Sequence, residues 1–285
     1  MMQTDQQVRV SLTGDIRTAH QGLTKLVEFE QSCQQYQGCS IAVDLQRLQW
    51  LDANLSAVFG AMMHRLHQTR HLDFTFDSAD LRGRFSILAR NGFSDNLNVQ
   101  LTDGYGTAIR LRRFDAEEDE GFNDYIDQQL LAHAKLQLHP NLRSDMMLSF
   151  NEVFTNVSLH ANTTNPLFTC GQYYPSKQKL HFSLVDLGVG YLKPIQQHNA
   201  AITSHTAAIQ WALEAGHTTR PKEEGYYGVV GGHGLSKLHQ YCCQQRGELQ
   251  IISGNAFWSS LCPDSCQLIE PFQGSIVNIK LPCPK

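Results

Sequence analysis

The stretch EVFTNVSLHA, residues 152–161, combines a polar row and an apolar row on one helical repeat. Glu152, Asn156 and His160 recur at four-residue steps, and at about 100° per residue such positions share one side of a helix. The apolar row, spaced by three and four residues, consists of Met146, Phe150, Val153, Val157 and Ala161. The spacing predicts a helix over 142–161 that buries the apolar row. The polar row is then either plain surface or the lining of a cavity, and the helix alone does not decide between them.

Two glycine-bearing motifs follow later in the chain. Residues 180–185 (LHFSLV) predict a strand that runs into DLGVG at 186–190, and GGHGL at 231–235 runs into a predicted helix. Glycines permit positive φ and close backbone approach, and a helix N-terminus offers amide donors to phosphate. GGHGL is not a P-loop, because it does not match G-x-x-x-x-G-K-[ST], and the strand–GxGxxG–helix order of a dinucleotide-binding turn is missing. Each motif alone is weak evidence, so the argument rests on their order and spacing.

In that order, E-x-x-x-N-x-x-x-H on a helix, strand–DxGxG and GGxGL–helix resemble the GHKL ATPase superfamily of gyrases, chaperones, histidine kinases and mismatch-repair proteins. The resemblance covers about residues 125–285, including a closing strand at 274–282. It implies a Bergerat-type α/β sandwich, with helices on one face of a mixed sheet, that binds ATP and Mg²⁺. The compact GGHGL turn and the N-terminal half of the chain look most like the anti-sigma factor serine kinase branch.

The resemblance also implies roles for particular residues. Glu152 would be the general base, and Asn156 would be the Mg²⁺ ligand, because an amide oxygen suits a hard cation. Asp186 would accept the adenine amino group, the contact that gives base specificity. The other residues implied in nucleotide binding bring the backbone close to the nucleotide or reach its phosphates: Gly188, Gly190, Gly231, Gly232, Gly234, Leu235, His160 and Arg220.

Two of those side chains have an equally good structural interpretation. His160 is as compatible with a satisfied core histidine as with a phosphate contact. Arg220 and Lys222 lie in a predicted loop at 217–225, after a predicted helix at 200–216, in the segment that closes over nucleotide in the resembled family. They would either reach the γ-phosphate or be solvated loop charges.

Strands and helices alternate in the N-terminal half as well. Alternating apolar and polar residues predict strands at 8–16, 40–45 and 72–76, and apolar periodicity predicts helices after the first strand, at 55–67 and at 81–91. This alternation implies an α/β layer with mixed or parallel pairing. The order of elements resembles a STAS domain, the fold of bacterial anti-sigma factor antagonists, over roughly residues 5–100. The fold implied here is a STAS-like mixed sheet with helices.

One position of the STAS-like half departs from the family pattern. Regulated members are phosphorylated on a serine two residues after an aspartate at a helix start. The matching aspartate is Asp52 and the matching position holds Asn54, which cannot accept a phosphoryl group. Because asparagine is a favourable helix N-cap, capping alone would also explain Asn54.

Length and charge limit the remaining choices. At 285 residues the chain suits one large or two modest domains, and we assign a STAS-like domain to 1–103, a linker to 104–121 and an ATP-binding domain to 122–285. Twenty-three basic and 27 acidic residues give a net charge of −4, which argues against nucleic acid as a direct partner. No secretory signal is apparent in the first ten residues, and the longest apolar stretch, 55–63, is far shorter than the ~18 residues that span a bilayer. We therefore expect a soluble cytoplasmic protein with no membrane partner.

The eight cysteines are expected to be free thiols. A disulfide framework is typical of short secreted chains. The CPDSC stretch at 262–266, with His239 and Cys242 upstream, matches no standard zinc-ligand spacing.

Two function classes remain open, together with one less favoured alternative. The first is a partner-switching protein serine/threonine kinase or ATPase acting on a separate STAS-type antagonist, sigma factor or other regulator. The second is a non-catalytic, ATP-gated adaptor or anti-sigma-like binding module. Glu152 favours catalysis, since nucleotide binding alone needs no base, whereas Asn54 favours the adaptor. Homodimerisation stays open.

The less favoured alternative is a fragment of a histidine kinase. Such a kinase needs a phosphoacceptor histidine on a dimerising helical hairpin. Only about twenty residues, 123–142, precede the long helix, and His133 within them is not followed by an acidic residue. A gyrase- or chaperone-like machine would need a transducer domain after the ATP site, and we expect none after residue 285.

Overall fold

A computed structural model describes residues 7–133, 136, 138, 140–160, 164–217 and 232–283. These residues confirm the predicted α/β class, with parallel pairing confined to the N-terminal half and antiparallel pairing to the C-terminal half. No helix within the described ranges is both long enough and apolar enough to cross a membrane.

The N-terminal half is a parallel α/β unit. Strands β1, β3 and β5 form a three-stranded parallel sheet in the order β1-β3-β5, and β2 pairs in parallel with β4. Its elements are β1 (Gln7–Ser11), β2 (Gly14–Ile16), α1 (His20–Gln34), β3 (Ser40–Asp44), β4 (Leu48–Leu51), a 3₁₀ turn (Ala53–Leu55), α2 (Ser56–Arg70), β5 (Asp73–Phe76), α3 (Ser78–Arg82) and α4 (Ser86–Arg90).

Two predicted elements of this half are divided in the structure. The strand predicted at 8–16 is split into β1 and β2, and Gly14 takes a positive φ of 69° where β2 begins. The helix predicted at 81–91 is two short helices, because α3 ends at Gly83 before α4 begins at Ser86. In both places a glycine interrupts an apolar pattern that is continuous in the sequence.

The C-terminal half is a five-stranded antiparallel sheet in the order β6-β7-β8-β10-β9, with the helices of this half on one of its faces. Its elements are β6 (Ala108–Phe114), α5 (Asp119–Tyr125) continued by a π-helical turn (Ile126–Leu131), α6 (Pro140–His160), β7 (Leu167–Tyr174), β8 (Lys179–Asp186), α7 (Leu192–His198), α8 (His205–Leu213), α9 (Gly234–Gln244), β9 (Glu248–Ser259) and β10 (Cys262–Pro282).

The stretch predicted as a linker, 104–121, contains strand β6 and the start of α5. Strand β6 pairs antiparallel with β7 and forms the edge of the C-terminal sheet. Its sequence AIRLRRF carries three arginines, so charge conceals the strand pattern, yet Ile109 and Phe114 are fully buried. This part of the chain belongs to the sheet because those two side chains enter its core.

The C-terminal sheet is covered on both faces, by different halves of the chain. Phe182 and Leu184 of β8 join the core formed with α6 and α9, whereas Val185 of β8 and Leu187 just after it join the core of the N-terminal unit. Helix α2 packs on β7 and β8, and α1 packs on β10. Because both faces are covered, every residue of β8 after Lys179 is buried, including the polar residues His181, Ser183 and Asp186. The two halves therefore share one core through this sheet.

Asn54 lies in that shared interface and does not cap a helix, so the capping interpretation is wrong. Its Oδ1 accepts a hydrogen bond from Thr18 Oγ1 at 3.0 Å, and its Nδ2 donates to Ser183 Oγ of β8 at 2.8 Å. The side chain is fully buried between the two halves, and its hydrogen bonds join the N-terminal unit to strand β8.

All eight cysteines are free thiols. Cys33, Cys170, Cys242 and Cys283 are buried, and burial raises the pKa of the first three to about 12. These three thiols therefore stay protonated and unreactive near neutral pH.

Candidate functional site

Helix α6 presents Glu152 and Asn156 to a cleft between the sheet and helices α7–α9. On the same helix Met146, Phe150 and Val153 are buried, as the apolar row predicts. The space between these elements, counted together with the open mouth of the cleft, is about 860 Å³. The polar row of α6 is therefore cavity lining at its first two positions.

Asp186 lines this cleft. It is the last residue of β8, its side chain is buried, and the amide of Gly188 donates to its Oδ1 at 2.8 Å. The hydroxyl of Ser275, opposite Asp186 on β10, donates to its Oδ2. Burial raises the pKa of Asp186, an effect that these hydrogen bonds oppose. The result is a carboxylate that is held in one orientation in the lining of a largely apolar cleft.

Glycines let the backbone close around Asp186. Gly190 has a φ of +69°, and a Cβ there would lie 2.5 Å from Ser253 Oγ. Gly274 has a φ of +116°, and a Cβ there would lie 2.0 Å from the carbonyl oxygen of Asp186. Gly188 contributes through its amide hydrogen bond instead. The DxGxG motif thus builds the wall of the cleft, and Gly274 of β10 completes it.

Aromatic side chains that the sequence analysis did not identify line the same cleft. Tyr191, Trp211 and His217 all border it, and the Trp211 and His217 rings stack with centroids 4.7 Å apart and planes 22° apart. Tyr191 is anchored by its amide, which donates to Ser253 Oγ at 2.9 Å. No local motif marks these residues or Ser275, because strand pairing and helix packing bring them to Asp186. Tyr191 directly follows DLGVG, which is the one local signal available.

Glu152 also lines the cleft, and it binds the N-terminus of α9. Its Oε1 accepts hydrogen bonds from the backbone amides of Gly232 and His233, the latter at 2.8 Å. A carboxylate is favourable there because helix N-terminal amides are unpaired and carry partial positive charge. Of the two amides that the family resemblance assigns to phosphate, those of Gly232 and Gly234, the Gly232 amide therefore binds Glu152 in this structure.

The crossing of α6 and α9 is close. A Cβ at Gly234 would lie 2.8 Å from the Cβ of Glu152 and 3.0 Å from the carbonyl oxygen of Ser149. Leu235 is buried and lines the cleft. Gly234 therefore serves the packing that holds α9 beside Glu152, while Leu235 forms part of the cleft floor.

The residues on either side of 218–231 lie side by side at the cleft. The amide of Gly216 donates to the carbonyl oxygen of Gly232 at 3.0 Å. Gly232 has a φ of +92°, and a Cβ there would lie 2.5 Å from the carbonyl oxygen of His217. Arg220, Lys222 and Gly231 fall outside the described residues, as does the side chain of His160. The structure thus brings together these predicted site residues: Glu152, Asn156, Asp186, Gly188, Gly190, Gly232, Gly234 and Leu235.

The possible metal-binding side chains of the cleft suit a metal ion that is bound jointly by the protein and by a second molecule. Among the described histidines, cysteines, aspartates and glutamates, no group of three or more is arranged to hold a metal ion. Asn156 borders the cleft on the turn of α6 after Glu152. Mg²⁺ is commonly held by one or two protein oxygens together with substrate phosphates. Asn156 therefore fits a magnesium ion brought in by a nucleotide and does not fit a stand-alone metal centre.

Comparison of the sequence with known protein families finds no matching family, and comparison with curated proteins finds no relative.

Proposed function

We propose that this chain binds ATP with Mg²⁺ in the cleft between α6, β8 and α9. We further propose that it acts on a protein partner as a partner-switching serine/threonine kinase or ATPase. One observation carries the proposal: a single cleft is lined both by the buried carboxylate of Asp186 and by the N-terminus of α9 beside Glu152 and Asn156. A purine needs an acceptor for its amino group, and a triphosphate needs amides and a metal ligand, so these two sets of groups suit the two ends of ATP.

Asp186 supports the base end of this proposal. Gly188 and Ser275 each occupy only part of the acceptor capacity of its two oxygens, so the carboxylate is still able to accept from an adenine amino group. Tyr191 and Trp211 add flat apolar surface for a ring. A guanine would present a carbonyl oxygen to the carboxylate at this position, so the pocket should prefer adenine.

Glu152 and Asn156 support the phosphate end. Phosphate would take the Gly232 and His233 amides, releasing the Glu152 carboxylate to accept a proton from water or an acceptor hydroxyl. Mg²⁺ bound beside Asn156 would supply charge neutralisation of the phosphates. Glu152 thus binds the α9 amides when nucleotide is absent, and it binds the attacking water or hydroxyl when nucleotide is present.

The N-terminal half argues for a substrate on another protein. Asn54 carries no hydroxyl for phosphorylation, and it is buried against β8. The usual acceptor position of a STAS domain is therefore absent here, and we propose that a kinase activity acts on a separate chain: a STAS-type antagonist, a sigma factor or a related regulator.

A second function, an ATP-gated adaptor without turnover, is favoured by one contact. The proposed base is held by two backbone amides, and a carboxylate so engaged is not poised to accept a proton. If nucleotide fails to release it, binding alone would be the output.

Isothermal titration with Mg²⁺-ATP tests the binding site. We expect the parent protein to bind, and Asp186→Asn and Asn156→Ala to lose about tenfold or more in affinity, since each removes an interaction with a charged or metal-bound group. Asp73→Asn is the matched control, because Asp73 is exposed at the start of β5, outside the cleft. Unchanged affinity in both cleft variants would refute the assignment.

Turnover separates the two functions. We expect Glu152→Ala to bind ATP but to lose hydrolysis or transfer by roughly 10²–10⁴-fold, the usual contribution of a general base. If the parent neither hydrolyses labelled ATP nor transfers phosphate to candidate partners, the adaptor function replaces the enzymatic one.

A further inference from the structure

We propose that Arg65, on helix α2 of the N-terminal unit, is a positioning residue for the base end of the nucleotide cleft. The proposal rests on the function proposed above and adds to it a residue from outside the ATP-binding half. Arg65 does not line the cleft. It acts through the segment of β10 that forms the wall behind Asp186.

Arg65 contacts two consecutive residues of β10. Its Nη1 donates to the carbonyl oxygen of Gln273 at 2.5 Å, and its guanidinium carbon lies 5.0 Å from the centre of the Phe272 ring. The rest of the guanidinium is held by Glu30 of α1, with Nε 2.8 Å from Oε1. Both charged side chains are almost completely buried. This geometry fixes the guanidinium in one orientation, so the Gln273 carbonyl is held at a defined place.

Gln273 lies where the strand ladder is interrupted. The pairing of β9 with β10 shifts register between Phe272 and Ser275, so Gln273 and Gly274 fall inside an irregularity. Such bulges re-aim the side chains that follow them, and they commonly lie beside functional sites. Here the residue that follows is Ser275, whose hydroxyl donates to Asp186.

Arg65 and Asp186 are therefore linked through three consecutive residues of β10, with a hydrogen bond at each end. Gln273 is followed by Gly274, which touches the Asp186 carbonyl, and by Ser275, which holds the Asp186 carboxylate. Without the guanidinium, the Gln273 carbonyl would lose a charged donor in a partly buried setting, and the irregular segment would relax. Ser275 and Asp186 would then lose the alignment that selects an amino group over a carbonyl group.

A selectivity measurement tests this role. Binding of ATP and of ITP, in which a 6-oxo group replaces the 6-amino group, is measured calorimetrically with Mg²⁺ for the parent, Arg65→Met and the double variant Glu30→Gln with Arg65→Met. The double variant guards against misfolding, because it leaves no unpaired buried charge. The control is Arg90→Gln, which breaks a partly buried ion pair of the same kind, with Asp103 at 2.7 Å, outside the cleft.

We expect the parent and Arg90→Gln to share one ratio of ITP to ATP dissociation constants, and both Arg65 variants to lower it by about tenfold. A purely structural loss would reduce the fraction of binding-competent protein without changing this ratio. Parent-like selectivity in a folded Arg65 variant would overturn the positioning role while leaving the ATP site intact. Failure of the parent to bind either nucleotide would overturn the proposed function itself, and the positioning role with it.

Discussion

At the scale of single residues, Glu152 and Asp186 are two carboxylates of one cleft in opposite situations. Glu152 lies on the helix row predicted from the sequence, yet its Oε1 is taken by the α9 amides. Asp186 is buried and held by Gly188 and Ser275, and it lines the same cleft. Under the proposed function, the Glu152 carboxylate must move for phosphate to bind, and the Asp186 carboxylate must stay in place for the adenine base.

Replacing Glu152 by glutamine should tighten nucleotide binding. A neutral amide oxygen competes less well than a carboxylate for the α9 amides and does not repel phosphate. We expect Glu152→Gln to bind ADP several-fold more tightly than the parent, by isothermal titration. Glu28→Gln, at an exposed position of α1, is the control and should match the parent. Weaker or unchanged ADP binding in Glu152→Gln would contradict competition between this carboxylate and phosphate.

His181 should make the protein less stable in mild acid. Its ring is buried in the interface between the two halves, its Nδ1 is 3.8 Å from Asp52, and Tyr174 packs on it. Burial lowers the pKa of His181 to about 4, against the attraction of Asp52 and helped by Lys280, Lys177 and Lys179. The unfolded chain binds this proton near pH 6.5, so between about pH 6.5 and 4 it binds more protons than the native state and stability falls as pH falls.

Chemical denaturation at pH 7 and pH 5 measures this effect. We expect the parent to lose about 1–2 kcal/mol more than His181→Gln over that interval, since the variant cannot titrate. Equal pH dependence in the two proteins would show that His181 is protonated in the native state as readily as in the unfolded one.

At the scale of elements, the sequence predicts what local periodicity can encode and misses what strand pairing creates. The buried row and the Glu152–Asn156 row of α6 follow from 3.6-residue geometry. The charge pattern predicts a linker at β6 because the arginines hide two buried positions. Capping is a sufficient local explanation for Asn54 because its interface partner Ser183 lies 129 residues away. Ser275 reaches Asp186 only through the β8–β10 register, which no local pattern contains.

The crossing of α6 and α9 should not tolerate a side chain at Gly234. A methyl group would lie 2.8 Å from the Glu152 Cβ, so α9 must shift and carry its N-terminal amides with it. We expect Gly234→Ala to cost about 1–3 kcal/mol of stability, as overpacking does, and to weaken ATP binding. The control is Gly121→Ala in α5, where the nearest atom to the new methyl is 4.0 Å away. Parent-like stability and binding in Gly234→Ala would show that the crossing has room to adapt.

At the scale of the whole molecule, the two halves are joined by a sheet that each of them covers. Val185 and Leu187 belong to the N-terminal core and Phe182 and Leu184 to the C-terminal one. A closed circuit of buried hydrogen bonds runs between the halves, from Thr18 through Asn54, Ser183, Asn278 and Gln250 back to Thr18. Either half alone would expose an apolar sheet face or unpaired polar groups.

We therefore expect the protein to unfold in one cooperative transition. Phe168, on the sheet face covered by α2, packs beside His64 with ring centroids 5.5 Å apart. Phe168→Ala should lower the stability of the whole chain by about 3–5 kcal/mol, the usual cost of deleting a buried phenyl ring. Denaturation followed by circular dichroism and by tryptophan fluorescence should give coincident curves that shift together. Two separate transitions, only one of them moved, would show that the halves fold independently.

The most direct test of the central claim is a crystal structure with Mg²⁺ and a non-hydrolysable ATP analogue. The predicted result has the adenine amino group on the Asp186 carboxylate, a phosphate on the Gly232 and His233 amides, the metal beside Asn156, and Glu152 released from α9. Nucleotide bound elsewhere, or a cleft without nucleotide at saturating concentration in which Glu152 still holds the α9 amides, would contradict it.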